Sequence, residues 1–331
     1  MPSAFLTGGT GFLGRNVLER LTAAGWQVHA LHRSETPPGH WHGEQVRPVR
    51  GDIIDADALP ALMPEGLDAV FHIAADTSPW SGHRKRQERV NVEGTRAAIA
   101  AARQRKARKF VHVSSVSVFG HHDGLVTETT PQTGETSWVG YVRTKAIAER
   151  LVREAAADGL DATILNPAHI MGRYDSSNWA RLFQLIERDA LPGVPPGGGC
   201  FANVGDVADA VLAAVAKGRR GENYILGGPH ARFLEVARGI ADLLGKQKPE
   251  RTAPAILLKT IARIHDLMSR VTGREPDITP EGAYFVCHDE RVSSAKAIAE
   301  LGYRETPLAQ SLAECHAWLK EAGLIGDRKD S

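Results

Sequence analysis

The sequence predicts an α/β protein, a doubly wound parallel sheet accompanied by a smaller, mostly helical lobe. Two observations carry this. Short apolar runs of strand length alternate with helix-patterned segments through the first 170 residues, and the first such run leads straight into a glycine turn and a helix. That alternation implies parallel strands joined by helical crossovers, with ligands bound at the carboxyl ends of the strands.

The first strand is Ala4-Phe5-Leu6, and the turn is Thr7-Gly8-Gly9-Thr10-Gly11-Phe12-Leu13-Gly14. A helix from Arg15 to Ala24 follows, with Val17, Leu18 and Leu21 at helical spacing. The glycines satisfy Gly9-x-Gly11-x-x-Gly14 and Gly8-x-x-Gly11-x-x-Gly14 at once. Strand, glycine turn and helix suit a dinucleotide pyrophosphate, because glycines admit backbone N–H groups to the phosphates and the helix N-terminus adds partial positive charge. Gly8, Thr10, Gly11, Phe12, Leu13 and Gly14 form the expected cradle.

The second strand, Gln27 to Leu31, ends in His32-Arg33-Ser34. An acid near this point bonds the adenosine ribose in NAD-binding versions of the arrangement, whereas an arginine there accommodates the 2′-phosphate of NADP. Arg33 is present and the acid is missing, which favours NADP(H) over NAD; the alternative is that Arg33 is a surface charge. Arg47 to Asp52 gives the third strand, closing on Gly51-Asp52-Ile53, where Asp52 and Ile53 can meet the adenine. The fourth, Leu67 to Ala75, is apolar almost throughout, as a strand covered on both faces should be. Its small Ala74-Ala75 end lets a cofactor lie close, and His72 within it reads as a core histidine.

Thr77-Ser78-Pro79-Trp80 and a polar loop precede a helix expected from Asn91 to Arg105. The basic run Arg103 to Lys109 ends that helix and reads as a solvated terminus at the negative end of the helix dipole. The fifth strand is Phe110 to Ser115, a helix covers Tyr141 to Ala157, and the sixth strand, Ala162 to Leu165, ends in Asn166-Pro167. Pro192 to Gly199 reads as a loop. Val204 opens another helix, and Asn223 to Gly227 looks like a strand returning to the sheet. The expected division is therefore a dinucleotide-binding domain over 1–170, joined again by 204–227, and a substrate-binding lobe over 171–203 and 228–331. In that lobe Leu257, Ile261, Ile264 and Met268 share one helical face, which is expected to pack on the main domain; the alternative is a greasy lid over an apolar substrate.

With 42% hydrophobic and 24% charged residues and a net charge of +1, the composition is that of an ordinary soluble globular protein. It offers no field for nucleic acid or an anionic membrane. Three widely spaced cysteines, Cys200, Cys287 and Cys315, suggest neither a disulfide framework nor a metal site. The first strand begins too near Met1 for a signal peptide, and no apolar run approaches the roughly 20 residues of a membrane span. A cytoplasmic location is expected.

Tyr141-Val142-Arg143-Thr144-Lys145 places a phenol and an ammonium on one helix face. A nearby cation favours the phenolate, so the tyrosine pKa is expected to fall from about 10 toward a useful acid/base range. The pair follows, in order, a glycine turn and a strand ending in Ser114-Ser115.

TGGTGFLG at the N-terminus, HIAA in the fourth strand, NVEGT on the next helix, VSSVSVFG after the fifth strand and YVRTK together resemble the extended short-chain dehydrogenase/reductase family, of the NAD-dependent epimerase/dehydratase type. The likeness covers nearly the whole chain. It implies a Rossmann fold, with Tyr141 as catalytic acid/base, Lys145 holding the nicotinamide ribose and tuning the phenol, and Ser115 bonding the substrate oxygen. It further implies that Asn91 steadies the active site beside the cofactor, that Pro167 and Ala168 lie against the nicotinamide, that Thr77 and His169 face substrate, and that chains pair as homodimers through the helices beginning near Asn91 and Tyr141.

Many members act on nucleotide-diphosphate sugars and carry an arginine in a G-x-x-x-R-D-F-x-x-V-x-D-V stretch. The corresponding residues here, Gly197 to Val207, hold Cys200-Phe201 and no arginine. A diphosphate without a cation there loses its strongest contacts. With Arg33 and the AADTSPW loop, the chain looks more like the dihydroflavonol-reductase and 3β-hydroxysteroid-dehydrogenase-like branch. The expected reaction is hydride transfer between a nicotinamide and a ketone or secondary alcohol. An NAD-retaining epimerase or dehydratase of a sugar substrate is the alternative, and a non-enzymatic cofactor sensor is a third class that usually lacks the tyrosine or lysine.

Overall fold

In the computed structural model, which describes residues 1–39, 41 and 43–326, seven parallel strands build one sheet. They are β1 (Ser3–Thr7), β2 (Gln27–His32), β3 (Val46–Arg50), β4 (Ala69–His72), β5 (Phe110–Val113), β7 (Ala162–Pro167) and β10 (Asn223–Leu226). Their order is β10-β7-β5-β4-β1-β2-β3. Strand order reverses between β1 and β4, and a crevice opens at such a reversal beyond the carboxyl ends. The large sheet and its helices are those of a Rossmann-type fold.

Every side chain of β4 and β5 is buried, because helices cover both faces. On one side α1 (Phe12–Ala23) and α7 (Val204–Lys217) bring Val17, Leu21, Val207 and Val211 against Leu6, Phe71 and Val113. On the other, α2 (Leu59–Leu62), α4 (Gly94–Gln104) and α5 (Gly140–Ala157) pack Leu59, Ala98, Ala101, Val152 and Ala155 onto Phe5, Val70 and Phe110. Alanines dominate the α4 face, which lets the helix approach closely. Truncating a fully buried phenylalanine such as Phe71 to alanine costs about 3–5 kcal/mol.

The sequence boundaries hold within a few residues, with informative exceptions. Strand β4 stops at His72 rather than Ala75, and β5 at Val113 rather than Ser115, so Ala74, Ala75 and Ser115 sit on the loops over the crevice. The polar stretch before Asn91 is not a loop. Ser81–His83 and α3 (Arg84–Gln87) start a helix that runs through a π-helical turn, Glu88–Glu93, into α4. Gly198–Asn203 is a buried strand, β9, rather than part of a loop. It needs glycine because a Cβ on Gly198 would lie 2.7 Å from the Ala231 carbonyl oxygen. The basic run is only partly solvated: Lys109 is buried, its Nζ bonded to Asp161 and to the Gly218 carbonyl.

Strands β8 (His169–Met171), β9 and β11 (His230–Arg232) form a second sheet, while β6 (Leu125–Val126) pairs with β12 (Arg291–Val292). Around them lie α6 (Trp179–Glu187), α8 (Phe233–Leu244), α9 (Ala255–Thr272), α10 (Pro280–Cys287) and α12 (Leu308–Glu321), whereas α11 (Ala295–Leu301) packs on α7 and β10, with Ala297 and Leu301 in the main core. Phe183, Phe201, Phe233, Ile240 and Leu319 fill a separate core there. Residues 327–331, assigned above to the lobe, lie outside the described residues. No helix among the described residues is long and apolar enough to cross a membrane. All three cysteines are free, and no described cluster could hold a metal.

One expectation for the lobe fails. The face bearing Leu257, Ile261, Ile264 and Met268 does not pack on the main domain: Leu257, Ile264 and Met268 are exposed and Ile261 is half-buried, while Ala262 and Ser269 are the buried residues of α9.

Candidate active site and cofactor cradle

The cradle is built by crowding. Gly8 has φ +78°, and a Cβ on it would lie 2.6 Å from the Ala74 nitrogen; one on Gly14 would lie 1.9 Å from the Gly8 oxygen. Only glycine allows this turn to close and α1 to approach it. Helix α1 has Gly11 as its N-cap with no side-chain cap, leaving the first-turn N–H groups available to an anion. Thr10 and Gly11 are exposed at the tip, whereas Phe12 packs against the core and Leu13 is buried within it. The tight turn and the uncapped first-turn N–H groups of α1 fit a dinucleotide pyrophosphate.

Around the crevice, Arg33 is exposed just past β2, Asp52 follows β3 with its Oδ1 accepting from the Ile54 nitrogen, and Ile53 is buried against Gly94. Ala74 lies against Gly8, with Ala75 half-buried beyond it. His72 is a core residue: its Nδ1 and Nε2 meet the hydroxyls of Thr7 and Thr95 at 2.9 Å each, and burial drives its pKa down to about 3.

Asn91 sits in the π-helical turn, a feature frequent at functional sites. Its Oδ1 accepts from the Asp76 nitrogen, and its Nδ2 donates to the Asp76 carbonyl and to Thr144 Oγ1. The side chain is thereby committed to joining the loop after β4 to α5. Asp76 in turn grips Arg86 through Nε and Nη2, leaving Thr77 exposed on the same loop.

Tyr141 and Lys145 occupy successive turns at the start of α5. The Tyr141 phenol lies beside Ser115, whose hydroxyl acts to lower its pKa, while Lys145 Nζ donates to the Val113 carbonyl at 2.7 Å. Ser115 follows β5 in extended backbone, and its Oγ accepts from the Ser117 nitrogen. Ser114, by contrast, is buried with its hydroxyl unpartnered. Phenol, hydroxyl and ammonium therefore gather at the carboxyl end of β5.

The electrostatics differ from the sequence expectation. Burial raises the Tyr141 pKa above the ordinary phenol value, with only the neighbouring Ser115 hydroxyl opposing it. The ammonium is turned to a backbone carbonyl, and desolvation lowers its own pKa to about 8, against the attraction of Glu149. The phenol is thus kept protonated.

Pro167 ends β7, and the Ala168 nitrogen donates to the Leu226 carbonyl. His169 lies among Trp179, Phe201 and Phe233 with ring centroids 5.4 to 5.7 Å away. Burial lowers its pKa to about 4. Sequence reasoning missed the opposite wall. Phe285 of α10 meets Tyr141 edge-on at 6.3 Å, and Tyr284 contacts Trp138 at 5.8 Å. The start of α10 has a sequence signal, Thr279 capping a Pro280 first turn, but its contact with Tyr141 spans more than a hundred residues of chain.

A glycine cradle at the strand-order reversal with a Tyr-Ser-Lys group beyond β5 defines an NAD(P)-dependent oxidoreductase of the extended short-chain dehydrogenase/reductase type. Residues 4–227 match the NAD dependent epimerase/dehydratase family, and the chain belongs to that family. It is 31% identical to sterol demethylase protein B of Methylococcus capsulatus over 98% of this chain and 100% of that one. It is 28% identical to a 3 beta-hydroxysteroid dehydrogenase/Delta 5-->4-isomerase of Mycobacterium tuberculosis, over 94% of this chain and 88% of the relative. Among solved structures, that of gox2253 superposes with a TM-score of 0.85 at 27% identity, covering 98% of this chain and all of that one (100%).

Proposed function

We propose that the protein transfers a hydride between NADP(H) and a ketone or secondary alcohol set in an apolar molecule. The observation that carries this reading is the convergence of Tyr141, Ser115 and Lys145 beyond β5, with the phenol kept protonated. A bound nicotinamide supplies the hydride in reduction and takes it in oxidation. In the reductive direction Ser115 and Tyr141 hydrogen-bond the carbonyl oxygen, and Tyr141 gives its proton to that oxygen as the carbon gains the hydride, so ketone, hydride and proton yield the alcohol. Lys145 bonds the nicotinamide ribose and lends positive charge as the phenolate forms. Gly8, Thr10, Gly11, Phe12, Leu13 and Gly14 offer backbone N–H groups to the pyrophosphate; Asp52 and Ile53 meet the adenine; Ala74, Ala75, Pro167 and Ala168 border the nicotinamide; Asn91 positions the Asp76 loop beside it.

The preference for NADP(H) rests on exposed Arg33 where an acid would serve the ribose of NAD. Substrate binding by residues 171–203 and 228–331, with Thr77 and His169, is supported by the aromatic wall of Tyr284 and Phe285. Cys200 supports the reading against nucleotide sugars, since its buried thiol lies near the Val292 carbonyl and offers no charge to a diphosphate. Names among the relatives, a sterol demethylase protein and a hydroxysteroid dehydrogenase, favour an apolar alcohol. A cytoplasmic location fits the free cysteines.

The test is direct. Purified protein should be stabilised more by NADP than by NAD and should consume NADPH with an apolar ketone. Protein that retains NAD through purification and turns over a sugar nucleotide with no net absorbance change would establish the epimerase instead.

A further inference from the structure

Helix α9 is amphipathic with its apolar side turned outward. Ile256 is 79% exposed, Leu267 66% and Val271 87%, with Leu257, Ile264 and Met268 beside them at about half. At 100° per residue Ile256, Ile264, Leu267 and Val271 lie on the side opposite buried Ala262 and Ser269. An amphipathic helix normally hides such a stripe, and an exposed apolar patch of this kind marks a docking surface. Along one flank run Lys259, Arg263 and Arg270. Arg270 pairs with Asp266 at 2.9 Å, while Lys259 and Arg263 enter no ion pair among the described residues.

We infer that α9 is a docking surface for an anionic lipid bilayer. A helix with a broad apolar side rimmed by Lys and Arg lies in the plane of a lipid interface, its side chains in the acyl boundary and its cations among the headgroups. The charge favours an anionic surface over a second copy of the chain packed antiparallel. An antiparallel two-fold contact through this face brings the two cationic flanks together, and the helix's one acid, Asp266, is already engaged by Arg270 and mostly buried. The net charge of +1 hides this because it averages over the whole surface.

The position of the helix gives docking a use. Glu275, just beyond α9, reaches Ser78 Oγ at 3.4 Å and His83 at 3.8 Å, next to Thr77. Helix α10, packed on α9, carries Phe285 to Tyr141. The lipid-facing surface thus borders the mouth of the candidate active site. The link to substrate delivery rests on the apolar-ketone reading; docking itself does not.

Flotation of the full-length protein with vesicles separates the two. Equimolar phosphatidylcholine and phosphatidylglycerol should carry the protein, and phosphatidylcholine alone should carry much less. Leu267→Glu with Val271→Glu should abolish binding. Lys259→Gln with Arg263→Gln should weaken it roughly 25-fold, about five-fold per cation. All four side chains are exposed, so unfolding temperature should not change, and turnover of a water-soluble ketone by these variants should match the parent. Failure to float with anionic vesicles, equal binding to both vesicle types, or loss of a solution dimer in the Leu267→Glu/Val271→Glu variant without vesicle binding by the parent would each overturn the inference. A docking protein that reduces no ketone would instead sink only the proposed function.

Discussion

Lys145 Nζ donates to the backbone carbonyl of Val113 at 2.7 Å. Val113 is the last residue of β5, so the bond moors the first turns of α5 to the strand whose continuation holds Ser115. The start of α5 is thereby fixed against the end of β5, two residues before Ser115 on the loop that follows. The ammonium is buried, and desolvation lowers its pKa to about 8, while Glu149 one turn further along α5 acts to raise it. Glu149 is itself fully buried and held by Gln132, Arg153 and Asn166.

Glu149 should therefore set the charge of Lys145. Glu149→Gln removes the negative charge while keeping the shape, and the Lys145 pKa should fall further below about 8. The ammonium, present below its pKa, would then be lost at lower pH. If Lys145 holds the cofactor, the pH at which NADP stops raising the unfolding temperature should move downward. An unmoved midpoint, with only a lower unfolding temperature, would reduce Glu149 to a structural role.

Tyr141→Phe should remove the proton donor and leave the cradle intact. General acid catalysis contributes about 10²–10⁴-fold, so kcat should fall by at least that order. The thermal stabilisation by NADP should persist. Full activity in this variant would exclude the phenol from the reaction.

Arg33 stands past β2 and enters no ion pair among the described residues. If it meets a 2′-phosphate, Arg33→Ala should weaken NADP by about ten- to a hundred-fold, the worth of a charge-assisted hydrogen bond of roughly 1.5–3 kcal/mol. NAD affinity should stay the same. Titration calorimetry with both nucleotides reads this, and equal losses for the two would make Arg33 a surface charge.

The sheet was legible because β1, β4, β5 and β7 are short apolar runs between helical patterns, and local periodicity is what a sequence shows. The glycine turn was legible for a similar reason: its spacing is short and its causes, the contacts of Gly8 with Ala74 and of Gly14 with Gly8, force the residue type. What escaped was tertiary. The direction of the Tyr141 pKa shift depends on how deeply the phenol is enclosed and on where Lys145 points, and residue spacing reports neither. Helix α9 shows the same limit, since its periodic apolar face revealed an amphipathic helix without revealing which side the fold would cover. The Phe285 contact with Tyr141 likewise follows from the path of the chain after α9.

His72 predicts an acid sensitivity with a defined sign. Its native pKa is about 3, below an unfolded value of about 6.5. Above pH 6.5 both states are neutral there and the histidine adds no pH dependence. As the pH falls through 6.5 the unfolded chain takes up the proton and the native protein does not, so stability drops by about 1.4 kcal/mol per pH unit until the native pKa is reached. His72→Gln keeps a donor and an acceptor near Thr7 and Thr95 without the titration. Between pH 7 and pH 5 the parent should lose about 2 kcal/mol more unfolding free energy than this variant. His169, also depressed by burial, remains in both proteins and cancels in the difference, and His112, stacked on His72 at 5.3 Å, keeps the burial that chiefly depresses it. Urea unfolding at the two pH values measures it, and identical losses would mean that His72 is protonated as readily inside the fold as outside.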